Sequence, residues 1–216
     1  MRRIIIVGFA GSGKSTAGNY LVERHGFIGI SFADALKDTL AAIFCWDRKA
    51  LEGTTKESRA WRETVDQWWA NKLGIPHFTP RWAMRHFGTD IMRNHFNPEI
   101  WVANVERRIL DYSESDVVVT DGRFWNELDL VHNHGGMSLR VKRGPEPEWW
   151  DLAKTANTTR YEISEHGIPV KKPEVEILEK MDIHPSEYSW IGYPITHTVE
   201  NNGTVKELGD QIDVLI

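Results

Sequence analysis

The sequence predicts an α/β fold: a parallel sheet covered by helices on both faces. Three observations predict it. Short β-branched runs, "RIIIV" at Arg3–Val7 and "DVVVTDGR" at Asp116–Arg123, are nearly continuous in apolar residues before any polar turn, as in strands buried on both faces. These runs alternate with stretches of helical spacing, the pattern of βαβ units. Between the first strand and the first helix lies "GFAGSGKST", a glycine-rich turn carrying one lysine.

Each element follows from local signals. Arg3–Val7 opens the sheet. Lys14–His25 has helical spacing, with Ala17, Tyr20 and Leu21 on one face, and Gly26 stops it. Phe27–Ala33 reads as the second strand. Asp34 stands where an N-cap would sit, and Ala35–Trp46 continues as a helix. The region from Asp47 to Asp111 is mostly helical, broken by "GIPHFTP" and by Asn97–Pro98. Asp116–Arg123 is a buried strand ending in a polar turn, and helical spacing resumes over Trp125–His134. "GGMSLRVKR" is the next strand. Gly144–Glu187, rich in proline and charge, reads as irregular, an insertion or cover. "PITHTVENNG" returns to strand and turn, and Thr204–Ile216 closes as a short helix. The expected organisation is one domain over 1–216, with a helical region at 47–111 and a lid-like insertion at 143–188.

Composition narrows the function classes. The chain has 216 residues, 41% of them hydrophobic, enough to bury a sizeable core. Acidic residues number 31 against 26 basic, for a net charge of -5, which argues against a general nucleic-acid binder. Cys45 is the single cysteine, so an internal disulfide is excluded, and it is expected as a small buried hydrophobe. The apolar opening run is short, has no cleavage-type sequence after it and is not read as a signal peptide. No segment approaches the roughly 20 apolar residues of a membrane span. A cytoplasmic protein is expected, with no membrane or nucleic-acid partner; a homodimer is compatible. The ten tryptophans are expected mostly in the core, Trp68 and Trp69 among them.

Gly8–Ser15 fits G-x-x-x-x-G-K-[ST] without a mismatch, between a strand and a helix. The glycines let the backbone curl so that successive N–H groups point at phosphate oxygens. The helix starting near Gly13 adds the positive end of its dipole. Lys14 is expected to reach the β and γ phosphates of a nucleoside triphosphate, and the Ser15 hydroxyl to ligate Mg²⁺. Asp121, at the end of a buried strand, stands where a carboxylate holds the metal's water shell. Arg123, two residues on, lies at the carboxyl end of the same strand and is a candidate for stabilising charge on a transferred phosphoryl group.

Other candidates are less local. Asp34 and Lys37 are one helical turn apart, so they share a side of the helix on which a second ligand could lie. Arg59, Arg62, Arg81, Arg85 and Arg93 are interleaved with Trp61, Trp68, Trp69, Trp82 and Phe87. Arginine binds phosphate bidentately and aromatics stack on bases, the two things a nucleotide monophosphate needs. Arg62, Arg85, Arg93 and Trp69 are the candidates drawn from this set. Arg143, Lys154 and Arg160 fall in the lid-like segment, where a mobile cover brings cations over phosphates. The nine histidines form no H-E-x-x-H and no Cys/His cluster, so no zinc site is expected.

Together, "GFAGSGKST", "SFADALK", "HFGTDIMRNHFNPEIWV", "VVVTDGRFWNE" and "ITHTVENNGTVKELGDQID" resemble the bacteriophage deoxynucleoside monophosphate kinases, a branch of the nucleoside monophosphate kinase group of P-loop folds. The resemblance spans Ile4–Asp213 and is weakest between Pro145 and Trp190. It implies a three-layer α/β/α fold with a five-stranded parallel sheet, a helical monophosphate-binding insertion at 47–111 and a lid. It implies transfer of the γ-phosphoryl group of ATP, with Mg²⁺, to a deoxynucleoside monophosphate in the host cytoplasm. By this resemblance Gly11, Ser12, Gly13, Lys14, Ser15 and Thr16 hold the triphosphate. Asp34 and Lys37 begin the monophosphate side, and Arg93 in "GTDIMR" lies on the substrate helix. Asp121 and Arg123 match the acid and arginine after the strand, and Asn202 matches a turn near adenine. The segment at Lys142–Pro147 lacks the several arginines of an adenylate-kinase lid, which leaves Arg143 and Arg160 both open as the lid cation. Dephospho-coenzyme A kinase, with Asp34 as a base, and a P-loop ATPase or GTPase switch are the competing readings.

Overall fold

Five short strands of mostly apolar residues pair in a fully parallel sheet: β1 (Arg3–Val7), β2 (Ile28–Ile30), β3 (Val117–Val119), β4 (Met137–Lys142) and β5 (His197–Glu200), in the order β2-β3-β1-β4-β5. The structure, a computed structural model, describes residues 1–158 and 172–216. Among the described residues the α-helices are α1 (Lys14–His25), α2 (Asp34–Phe44), α3 (Lys56–Glu63), α4 (Gln67–Leu73), α5 (Pro80–Arg85), α6 (Ile100–Asp111), α7 (Trp125–Asn133), α8 (Trp150–Thr158), α9 (Pro173–Lys180), α10 (Pro185–Tyr188) and α11 (Val205–Asp213). A 3-10 turn, Ala50–Glu52, precedes α3, and a π-helix, His86–Phe96, follows α5.

The chain divides into two compact units, Met1–Ile30 with Tyr112–Ile216, and Ser31–Asp111. In the first, β1 is the central strand: Ile4 lies beside Val118 of β3 on one side and Met137 of β4 on the other. Alternate residues Ile4, Ile6, Leu139 and Val141 pack with Ala17 and Leu21 of α1 and with Leu208 and Ile212 of α11. Each such leucine or isoleucine removed from water contributes about 1.5–3 kcal/mol. The chain leaves β1 on one side toward β2 and β3, and later reaches β4 and β5 on the other. The carboxyl ends of β1, β3 and β4 therefore flank a switch in strand order, the place where α/β sheets bind ligands.

The second unit packs Leu40, Phe44, Trp46, Leu51, Ala70, Phe78 and Ala83 into its own aromatic core. Trp69 joins it, donating its indole N–H to Phe44 O at 3.1 Å.

Four expectations are corrected here. Asp34 does not cap α2; it is the first helical residue, and Ala33 occupies the cap position without a side-chain bond. Cys45 is exposed rather than buried, because it ends α2 in a left-handed turn with φ 56°. Trp68 is 63% exposed, since α4 turns its neighbour Trp69 inward instead. The described residues of Gly144–Glu187 are largely helical where irregular structure is expected: α8, α9 and most of α10 fall there, and Pro173 and Pro185 start two of these helices.

Candidate active site

The glycine-rich turn is built as the sequence demands. Gly8, Gly11 and Gly13 have φ of 143°, 76° and 103°, all in the region that favours glycine. At Gly8 the turn also needs the missing side chain, because a Cβ would lie 2.4 Å from Val141 O. At Gly11 a Cβ would meet nothing within 4 Å, so the turn opens there. Helix α1 starts at Lys14, and its first amides have no partner within the helix. Ser12 Oγ is buried and without a partner among the described residues. Open backbone, helix N-terminus and an orphaned buried hydroxyl together fit a phosphate chain.

Lys14 folds back on the turn, donating from Nζ to Gly8 O at 2.6 Å and Phe9 O at 2.8 Å. Burial first, and then the Arg123 guanidinium, push its ammonium from the ordinary 10.5 down to about 8, while Glu187 and Asp121 pull the other way. Two cations and two carboxylates therefore share one electrostatic neighbourhood at the carboxyl end of the sheet. Arg123 itself is exposed, but its backbone is not free: the buried Glu127 carboxylate accepts from Arg123 N at 2.8 Å and from Phe124 N at 3.1 Å. This places a negative charge at the start of α7, where the dipole favours it. Arg123 Nη1 donates to Ser186 Oγ at 3.0 Å.

Ser15, an exposed hydroxyl, and Asp121, a half-buried carboxylate, supply hard oxygen donors that suit Mg²⁺. Among the described residues no three His, Cys, Asp or Glu side chains form a metal-holding group. On the far side of the turn, Asn201 Nδ2 donates to Ser12 O at 2.8 Å, and Asn202 Oδ1 accepts from Gly144 N at 2.7 Å. Asn202, the expected adenine-side residue, thus braces the end of β4, while its neighbour Asn201 braces the phosphate turn. Arg143 is exposed, and Arg160 lies outside the described residues.

The candidates of the second unit sit in an ionic network. Asp34 accepts from Ser31 N at 2.9 Å and Arg108 Nη1 at 2.7 Å, with Arg48 Nη2 at 3.4 Å. Lys37 bonds Glu52 at 2.6 Å. Burial alone would raise the Glu52 carboxyl, but Lys37 and Arg48 hold it below the usual range. Arg62 is half-buried with an unpartnered Nε, and burial, then Arg81, lowers its pKa. Arg85 is exposed, and Arg93 is half-buried on the π-helix. Sequence reasoning missed Asn201, Ser186, Glu187 and Arg108. A second asparagine in "ENNG" was the only local signal for any of them.

Residues 62–184 match the family model described as deoxynucleotide monophosphate kinase. A protein of Acanthamoeba polyphaga mimivirus assigned as a deoxynucleotide monophosphate kinase is 30% identical over 152 residues, covering 64% of this chain and 72% of that protein. Among solved structures, the shikimate kinase of Aquifex aeolicus vf5 overlaps at a TM-score of 0.41 with 14% identity, over 98% of this chain and 94% of that one. The dephospho-CoA kinase of Campylobacter jejuni overlaps at 0.41 with 17% identity, over 99% and 95%. No helix among the described residues is long and apolar enough to cross a membrane. The family match and the mimivirus relative together show that this chain belongs to the deoxynucleotide monophosphate kinase family.

Proposed function

We propose that this chain phosphorylates deoxynucleoside monophosphates to diphosphates with ATP, by direct in-line transfer. The observation that carries the reading is the glycine-rich turn, with Gly8, Gly11 and Gly13 at positive φ, the buried Ser12 hydroxyl and Lys14 upon it, and with the Arg123 guanidinium near enough to lower the Lys14 pKa. Holding like charges together is unfavourable until a polyanion arrives. A triphosphate meeting an acceptor phosphate is such a polyanion.

In this reading Gly11–Thr16 cradle the β and γ phosphates of ATP, with Lys14 released from the Gly8 and Phe9 carbonyls onto them. Ser15 and Asp121 would hold Mg²⁺, which when bound adds charge neutralisation on the phosphates. Arg123 bears on the transferring group, where negative charge redistributes. The attacking group is a phosphate oxygen of the acceptor, already ionised at neutral pH, so the reaction needs positioning and charge neutralisation and no covalent enzyme intermediate. Arg62, with its unpartnered Nε, Arg85 and Arg93 are the proposed acceptor-side cations, and Trp69 an aromatic wall. Asp34 and Lys37 act there as braces, since their charges are engaged by Arg108 and Glu52. A base at Asp34, as dephospho-CoA phosphorylation would use, gains no support from those bonds. The motif resemblance is what supports a bacteriophage source and action in the host cytoplasm; the mimivirus relative supports a viral source only.

ADP release with ATP and each of dAMP, dGMP, dCMP, dTMP and dephospho-CoA tests the proposal. One or more deoxynucleotides should stimulate release strongly over ATP alone. Stimulation by dephospho-CoA only, or release independent of any acceptor, would overturn it.

A further inference from the structure

Arg123 has a fixed backbone and an exposed side chain, so something must decide where its guanidinium points. The one bond described for that guanidinium is to Ser186 Oγ, on α10, 63 residues away in the chain. Ser186 is itself held. Its backbone N donates to His184 Nδ1 at 3.2 Å, and its Oγ lies 2.8 Å from the same nitrogen. Since Nδ1 accepts from the backbone and Oγ accepts from Arg123, the hydroxyl proton points at Nδ1, and the ring proton resides on Nε2. The result is a directed chain, Arg123 to Ser186 to His184.

The turn that carries this chain is anchored. Tyr188 at the end of α10, and Trp190 and Ile191 just beyond it, are buried. Asn157 Nδ2 donates to Tyr188 O at 2.7 Å and Ile191 O at 2.8 Å, and the Trp190 indole donates to Glu187 O at 3.0 Å. The same turn brings the Glu187 carboxylate close enough to oppose the lowering of the Lys14 pKa. Thus α10 meets both candidate cations of the site, one by a hydrogen bond and one by charge.

We propose that Ser186, oriented by His184, is a positioning residue that aims the Arg123 guanidinium during phosphoryl transfer. The inference rests on the role proposed above for Arg123. One donor of the guanidinium is used by Ser186, and the remaining N–H groups keep the planar fork free for phosphate oxygens. Without the hydroxyl the long side chain samples its rotamers, and the fraction of encounters with the fork in place falls.

The test is steady-state ADP release with ATP and a responsive deoxynucleoside monophosphate, for Ser186→Ala, Ser186→Thr, Arg123→Ala and the double variant Arg123→Ala/Ser186→Ala. Ser186→Ala should lower kcat about tenfold with KM for ATP within about twofold, the size of effect a misplaced group produces. Ser186→Thr keeps the hydroxyl and should restore most of the rate. In the Arg123→Ala background, Ser186→Ala should cost nothing further, because its effect passes through that arginine. An equal loss in both backgrounds overturns the inference, as does an unchanged kcat, equal loss in the alanine and threonine variants, or a raised kcat that would mark the hydroxyl as a resting place. If Arg123→Ala alone leaves kcat intact, the role of Arg123 falls and this inference with it. If Arg123→Ala collapses kcat while Ser186→Ala is neutral, only the positioning role falls.

Discussion

Lys14 should make folding stability depend on pH in a way that a partner variant isolates. Burial and the neighbouring Arg123 lower its pKa from 10.5 to about 8 in the folded protein. The folded value lies below the unfolded one, so the unfolded chain holds this proton more tightly. Stability contributed at Lys14 therefore rises with pH between about 8 and 10.5, and below about pH 8 the full penalty of the buried charge stands. Lowering this pKa from 10.5 to about 8 corresponds to roughly 3.4 kcal/mol in total. Integrated from pH 7 to pH 10, about 2.5 kcal/mol of it is recovered. Urea unfolding of the nucleotide-free protein and of Lys14→Met, at pH 7 and pH 10, measures this directly. Titrations elsewhere largely cancel in the difference. The wild type should gain about 2.5 kcal/mol on the variant between the two pH values. A difference that stays constant would refute the reasoning, because Lys14 would then sit in an ordinary solvated environment. The same argument predicts that ATP binding at pH 8 takes up about half a proton, as phosphate recharges the lysine.

Two further outcomes follow from the geometry. Arg123→Ala should lower kcat by on the order of 10³ with KM for ATP nearly unchanged, and Arg123→Lys should recover only part, since an ammonium lacks the planar fork; an unchanged kcat with a raised acceptor KM would make Arg123 a binding residue. Gly8→Ala should destabilise by about 3 kcal/mol, a fall in Tm of roughly 6–12 °C, because its Cβ meets the Val141 carbonyl, whereas Gly11→Ala, with open space around it, should cost only about 1–2 kcal/mol; equal losses in calorimetry would contradict that contrast.

What the sequence made legible is what depends on neighbours in the chain. Gly8–Ser15 could be read because each position requires a residue type: positive φ at the glycines, a cation at Lys14, a hydroxyl at Ser15. Strand alternation and the stop at Gly26 were equally local, and the sheet and α1 formed where expected. The less legible parts come from pairs far apart. Ser12 and Asn201 are 189 residues apart, and Asp34 and Arg108 are 74 apart. No spacing rule predicts such meetings. Trp68 and Trp69 are chemically identical neighbours, and only the rotation of α4 decides which one packs. The proline content of Gly144–Glu187 suggests irregular chain, yet proline at the first turn of a helix loses no bond, and Pro173 and Pro185 both begin helices.

The central claim is transfer of a phosphoryl group between two nucleotides. It is tested most directly by following label from γ-³²P ATP in single-turnover reactions with and without a deoxynucleoside monophosphate. The account predicts that label passes to the deoxynucleoside diphosphate when the acceptor is present, that little appears as inorganic phosphate, and that Lys14→Ala abolishes transfer while remaining folded. Label released as inorganic phosphate at the same rate with or without the acceptor would contradict it.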